Sequence, residues 1–149
     1  VGTIKGLKVV IDTNVVVSAL LFGGIPGKLV SAWKRRDINP FVSQEIIDEH
    51  MRVFAYPKFQ LDPSEIEHLI YREILPFFEV VVSKTGKKIV RKDPTDDKFI
   101  HCAIEGNVKV IISGDRYLLS LKQVDDIRIV NPFQFLKLYR AGENISTRH

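Results

Sequence analysis

The sequence predicts an α/β fold with a mainly parallel central sheet of about five strands and helices on both faces. Three observations carry that prediction. Short apolar, β-branched runs recur along the chain. Most of the segments between them open on a helix-start signal, and strands alternating with helices build parallel βαβ units. Val9-Val10-Ile11 lacks polar alternation, as expected of a strand covered on both faces.

The 149 residues suit one domain over 1–149, with a core at about 8–140 and a frayed tail at 143–149. Hydrophobic residues at 45% and charged residues at 27% give a globular balance, not a disordered one. Cys102 is the single cysteine, which excludes an internal disulfide and a cysteine-based zinc cage. It suits a reducing compartment, so a cytoplasmic location is expected. Neither a signal peptide nor a membrane-spanning segment is expected. The net charge of +4 favours an anionic partner, nucleic acid foremost.

The first strand covers 8–12 and ends on Asp12. Val15 to Phe22 continues as a helix up to Gly23-Gly24. Pro26 suits the first turn of a second helix, running to about Arg36, because the N–H it lacks has no helical partner there. Phe41-Val42 marks a short second strand. Ser43 is the N-cap candidate for a helix from about Gln44 to Phe54, with Pro57 beyond its end. Asp62-Pro63-Ser64-Glu65 spells a helix start, with Glu65 placed to reach back to the cap. That helix ends before Pro76, and Phe78 to Val82 is the third strand. Lys84 to Lys92 is a basic loop. Asp93-Pro94-Thr95-Asp96 repeats the start signal, with Asp93 as cap and Asp96 as its N3 partner; the helix stops at Gly106. Val108 to Ile112 is the fourth strand, leading to Ser113-Gly114-Asp115 and a short helix over about Arg116 to Leu121. Ile127 to Val130 is the fifth strand. Asn131-Pro132 caps a last helix that Gly142 closes.

The carboxylates carry the chemistry. Asp12 stands at the carboxyl end of a buried strand, the edge where open α/β sheets bind ligands. Asp is also a preferred N-cap, so capping alone would account for it. Asp115 repeats the same grammar and the same choice. At about 100° per residue, Ile46, Ile47, His50, Met51, Val53 and Phe54 fill one arc of the 44–54 helix. Glu49 lies at the rim of that arc, able to reach inward or to snorkel to water. His50 falls mid-arc, as a buried, hydrogen-bonded histidine. Asp97 flanks the arc that holds Ile100 and Ile104, while Asp96 remains an alternative working acid. For the whole run, favourable interaction with the helix dipole is the simpler account. Lys34-Arg35-Arg36, Lys87, Lys88 and Arg116 could track a phosphate backbone, or form a solvated surface.

Several chemistries are excluded. Phe22-Gly23-Gly24-Ile25-Pro26-Gly27-Lys28 lacks the leading Gly of a phosphate loop, and Leu29 stands where Ser or Thr is needed. No G-x-S-x-G, C-x-x-C or H-E-x-x-H occurs. An aspartyl phosphatase would want an acid at Asn14. A phospho-receiver would want paired acids near the first strand and a later Lys.

Four stretches together resemble the PIN-domain nucleases, and within them the VapC-like toxin ribonucleases. They are Val-Ile-Asp-Thr-Asn at 10–14, Val-Ser-Gln-Glu-Ile-Ile-Asp-Glu at 42–49, Asp-Pro-Thr-Asp-Asp-Lys-Phe-Ile at 93–100 and Ile-Ser-Gly-Asp at 112–115. The resemblance runs from about residue 8 to 139. It implies a three-layer α/β/α sandwich. It also implies Asp12, Glu49, Asp97 and Asp115 as catalytic acids and metal ligands, with Asn14, Ser113, Thr13 and Asp96 in support. Ser113 stands where Thr is common, and His50 replaces a frequent Tyr. The expected activity is hydrolysis of RNA by an endoribonuclease using Mg²⁺ or Mn²⁺, since clustered carboxylates need cations to stay ionised. A toxin with a small antitoxin partner and a homodimer are further implications. A non-toxin RNA-processing nuclease or an inactive RNA- or partner-binding scaffold would carry the same fold.

Overall fold

A computed structural model describes residues 6–82 and 97–146, with side chains as far as Tyr139. Its strands are β1 (Leu7–Ile11), β2 (Ile38–Ser43), β3 (Glu79–Val81), β4 (Val110–Ile112), β5 (Gln123–Val124) and β6 (Ile127–Val130). Its α-helices are α1 (Thr13–Leu21), α2 (Gly24–Lys34), α3 (Gln44–Phe54), α4 (Pro63–His68), α5 (Lys98–Gly106), α6 (Arg116–Leu121) and α7 (Pro132–Ser146).

The strands form one sheet in the order β3-β2-β1-β4-β6-β5. All neighbours are parallel except β5, which runs antiparallel to β6 at the edge. Val9, Val10 and Ile11 are at most 1% exposed. Successive strand residues point to opposite faces, so that burial requires helices on both. This is the expected α/β/α layering. Helix α5 packs on β1, β2 and β4, α2 on β2, and α6 on β6. The chain steps outward from β1 to β2 and β3, then crosses back to β4 and β6 on the other side. The order therefore reverses between β1 and β4, which creates a crevice at their carboxyl ends.

Local signals match the helix starts at α3 and α4. Ile46 N–H donates to Ser43 Oγ at 3.2 Å. Asp62 and Glu65 form a reciprocal capping box, at 2.8 and 2.9 Å. Helix α4 then winds on as a π-helical run, Leu69–Ile74.

Five local expectations need correction. Strand β2 starts at Ile38, earlier than expected, because Pro40 obscures its strand signal. Proline is tolerated there since β3 pairs only from Phe41 onward, which leaves one flank of β2 open at Pro40. Strand β5 is a sixth strand of two residues, too short to leave a periodic signal. Helix α5 runs through Gly106 and ends on Asn107, which takes the left-handed conformation at φ 54°. Gly106 serves packing instead: a Cβ there would fall 2.6 Å from Phe41 Cδ2. Helix α7 continues past Gly142 to Ser146. Finally, α5 opens at Lys98, with Asp97 as its N-cap rather than a residue within the helix. Both Asp93 and Asp97 can cap a helix, and sequence alone does not choose between them. Asp93, Asp96, Lys87, Lys88 and the 84–92 loop lie outside the described residues.

Candidate functional site

The crevice between β1 and β4 holds the acids. Ile11 pairs with Ile112, so Asp12 and Ser113 are the next residues on adjacent strands. The Asp12 N–H continues the ladder to Ile112 O at 2.9 Å. Ser113 Oγ donates to Asp12 Oδ2 at 2.6 Å and accepts from the Asp115 N–H at 2.9 Å. One buried hydroxyl thus ties the first acid to the loop that carries the fourth.

Asp12 is also the N-cap of α1, where Oδ1 accepts from the Asn14 N–H at 3.2 Å. Asp97 caps α5, with Oδ1 accepting from the Phe99 N–H at 2.8 Å. Asp115 caps α6, with Oδ2 accepting from the Leu118 N–H at 2.9 Å. Capping and site-building are therefore the same act in this protein. Three helix N-termini converge and bring their acids with them, and each helix end helps to stabilise its carboxylate. Asp97 Oδ2 and Asp115 Oδ1 have no hydrogen-bond partner among the described residues.

Glu49 arrives differently. It lies on α3, one and a half turns beyond the Ser43 cap, and is partly buried. Thr13 Oγ1 donates to its Oε1. Lys98 Nζ lies 3.1 Å from its Oε2. Asp12, Glu49, Asp97 and Asp115 line one pocket of about 200 Å³, together with Thr13 and Asn14. Phe99 and Leu118 complete its wall.

The electrostatics agree with crowding. Burial pushes the Asp12 carboxyl above its ordinary range. The Ser113 and Asn14 bonds oppose that shift, and Glu49 and Asp115 add to it. Every donor on the pocket's polar wall is oxygen or amide, the set that hard divalent cations take. As they stand, no three His, Cys, Asp or Glu side chains among the described residues enclose a metal position. The acids ring an open volume instead.

Other expectations meet mixed outcomes. His50 is fully buried as expected, but neither ring nitrogen has a partner among the described residues. Met51 and Ile104 are 45% and 50% exposed, outside the buried arcs assigned to them. Lys34, Arg35 and Arg36 precede β2, at the sheet edge opposite the pocket. Lys34 pairs with Glu73, and Arg35 with Asp37 at 2.8 Å. Arg36 donates to Pro76 O at 3.3 Å and lies over the Phe77 ring. Arg116 follows Asp115 at the first turn of α6 and is exposed. Sequence reasoning missed Lys98. Its signal was a cation directly after the Asp96-Asp97 pair, at a helix start where the dipole disfavours positive charge.

Fold and site define a class: an α/β protein with an acidic pocket at the switch point of a mainly parallel sheet. The PIN domain family model matches residues 8–117. An uncharacterized protein of Methanocaldococcus jannaschii is 33% identical over 129 residues, covering 84% of this chain and 81% of its own. The chain belongs to the PIN domain family, whose members are generally nucleases.

Proposed function

We propose that the chain is an endoribonuclease that hydrolyses RNA phosphodiesters with Mg²⁺ or Mn²⁺ in the β1/β4 pocket. One observation carries this reading: Asp12, Glu49, Asp97 and Asp115, from four separate elements, line a single cavity. A bound divalent ion would supply positive charge to the phosphoryl oxygens and acidify a water for attack.

The protein's own groups divide the remaining work. Asp97 and Asp115 line the pocket and each use one oxygen as a helix cap, which leaves the other for an ion. They and Asp12 would hold the ion. Ser113 fixes the plane of the Asp12 carboxylate through its hydroxyl. Glu49, held from both sides by Thr13 and Lys98, would complete the ion's shell or orient the attacking water. Asn14 lines the same cavity with an amide that can meet a phosphate or ribose oxygen. Water adds to phosphorus and gives up a proton to solvent, the ester bond to the leaving oxygen breaks, and that oxygen takes up a proton from solvent.

The resemblance to VapC-like ribonucleases supports a toxin role, with a small antitoxin as partner and a second copy in a homodimer. The direct experiment is cleavage of a mixed RNA substrate by purified protein with Mn²⁺, Mg²⁺ or EDTA. Cleavage by the native protein but not by Asp12→Asn, and its loss in EDTA, is the expected result. Cleavage that survives EDTA, or that Asp12→Asn retains, would refute the reading. Growth arrest on induction of the native protein but not of Asp12→Asn tests the toxin role.

A further inference from the structure

We propose that Lys98 is a built-in counter-cation for Glu49, against which a divalent ion must compete, so that this lysine sets the metal affinity of the pocket. The inference rests on the metal-dependent reading above and deepens it.

The observations are geometric. Lys98 Nζ lies 3.1 Å from Glu49 Oε2, and both side chains are largely withdrawn from water, at 20% and 24% exposure. The ammonium stands 5.2 Å from the centre of the Phe99 ring, whose side chain lines the pocket. Lys98 is the first residue of α5, directly after the cap Asp97. A positive charge in the first turn opposes the helix dipole. That position is unfavourable for the helix by itself and becomes favourable through Glu49, which reaches it from α3. Thr13 holds the other Glu49 oxygen, so both oxygens already have a donor and one of those donors is a full positive charge. The Lys98 ammonium therefore stands beside the pocket's four carboxylates, held on Glu49. A dication entering beside that ammonium meets like-charge repulsion, strong at a few ångströms in a partly buried site. Lys98 can yield by swinging toward solvent on its flexible stem, which also releases Glu49 Oε2.

The test is the affinity of the full chain for Mn²⁺ alone, measured by calorimetry without RNA. Four proteins are compared: native, Lys98→Met, Lys98→Arg and Asp12→Asn. Lys98→Met keeps the length of the stem and removes the charge. It should bind Mn²⁺ at least about tenfold more tightly than the native protein. Lys98→Arg should stay within about threefold of native, because the charge is kept. Equal or weaker binding by Lys98→Met, with Asp12→Asn still abolishing it, would overturn the role of Lys98 and leave the metal site standing. If no protein binds Mn²⁺ in an Asp12-dependent way, the metal reading falls and this proposal with it. A second readout needs no metal. In EDTA, the melting shifts of Glu49→Gln and Lys98→Met should be strongly non-additive in the double variant. Additive shifts would contradict the pairing.

Discussion

At the scale of single residues, two buried groups make opposite demands on pH. Burial lowers His50 to about 4, against a weaker upward pull from Glu49. An unfolded chain protonates this imidazole near 6.5, whereas the native protein refuses the proton until about 4. Its contribution is therefore complete above pH 6.5 and is lost as pH falls toward 4, to the extent of about 3 kcal/mol. Asp12 behaves in the other sense. Its carboxyl is raised, first by burial, so the native state binds that proton more tightly than the unfolded chain does. Metal-free stability from Asp12 thus grows as pH falls through its raised value toward the ordinary carboxylate range. Two variants separate these effects. His50→Leu removes two core nitrogens that have no partner among the described residues and should raise the urea midpoint, more at pH 5 than at pH 7.5. A larger gain at pH 7.5 would contradict the assignment. Asp12→Asn keeps an oxygen for the Asn14 N–H and should raise the melting temperature of the metal-free protein at pH 7. A fall would mean that the charge itself holds the crevice together. The burial of His50 was legible in the sequence, because helical period alone placed it mid-arc. The lack of a partner for it among the described residues was not, because that depends on what neighbouring elements offer.

At the scale of elements, the helix starts are where local sequence and site coincide. Asp97 was expected inside a helix capped by Asp93, yet it is the cap of α5 and a wall of the pocket. That dual role gives a sharp prediction. Asn caps as well as Asp, so Asp97→Asn should keep the melting temperature and abolish cleavage. Asp97→Ala should abolish cleavage and also cost about 1 kcal/mol through the lost cap. Equal stability of the two variants would remove Asp97 from the cap. Gly106 teaches the complementary lesson. A glycine near a helix end reads as a left-handed terminator, but here Asn107 takes that conformation, and Gly106 makes room for Phe41. Gly106→Ala should therefore destabilise by about 1–3 kcal/mol through overpacking, with the cleavage rate of the folded fraction unchanged. A neutral or stabilising effect in denaturant melts would show that Phe41 can move aside. The α3 and α4 starts were readable because their signals are contained within four residues. The α5 start was not, because two equivalent signals lie four residues apart.

At the scale of the molecule, the alternation of strands and helices was enough to give the fold class, and four carboxylates were enough to suggest a site. Sequence order could not say that β1 and β4 are neighbours. That adjacency makes the switch point and lets Ser113 join Asp12 to the Asp115 loop. Nor could a basic run in sequence reveal which edge of the sheet it would occupy. Lys34, Arg35 and Arg36 lie roughly 20 Å from the carboxyl end of β2, its own length away, and are engaged with their own protein. Replacing all three by Gln should change RNA affinity by about twofold or less and leave its salt dependence intact. A loss of tenfold or more would place RNA at that edge. The central claim, that the convergent acids form one cation site, has a direct measurement. Crystals grown with Mn²⁺ and read by anomalous scattering should show density in the β1/β4 pocket. Oxygens of Asp12, Asp97 and Asp115 should lie about 2.0–2.6 Å from the ion, with waters completing its shell. Anomalous density only elsewhere on the molecule, or none at saturating Mn²⁺, would contradict it.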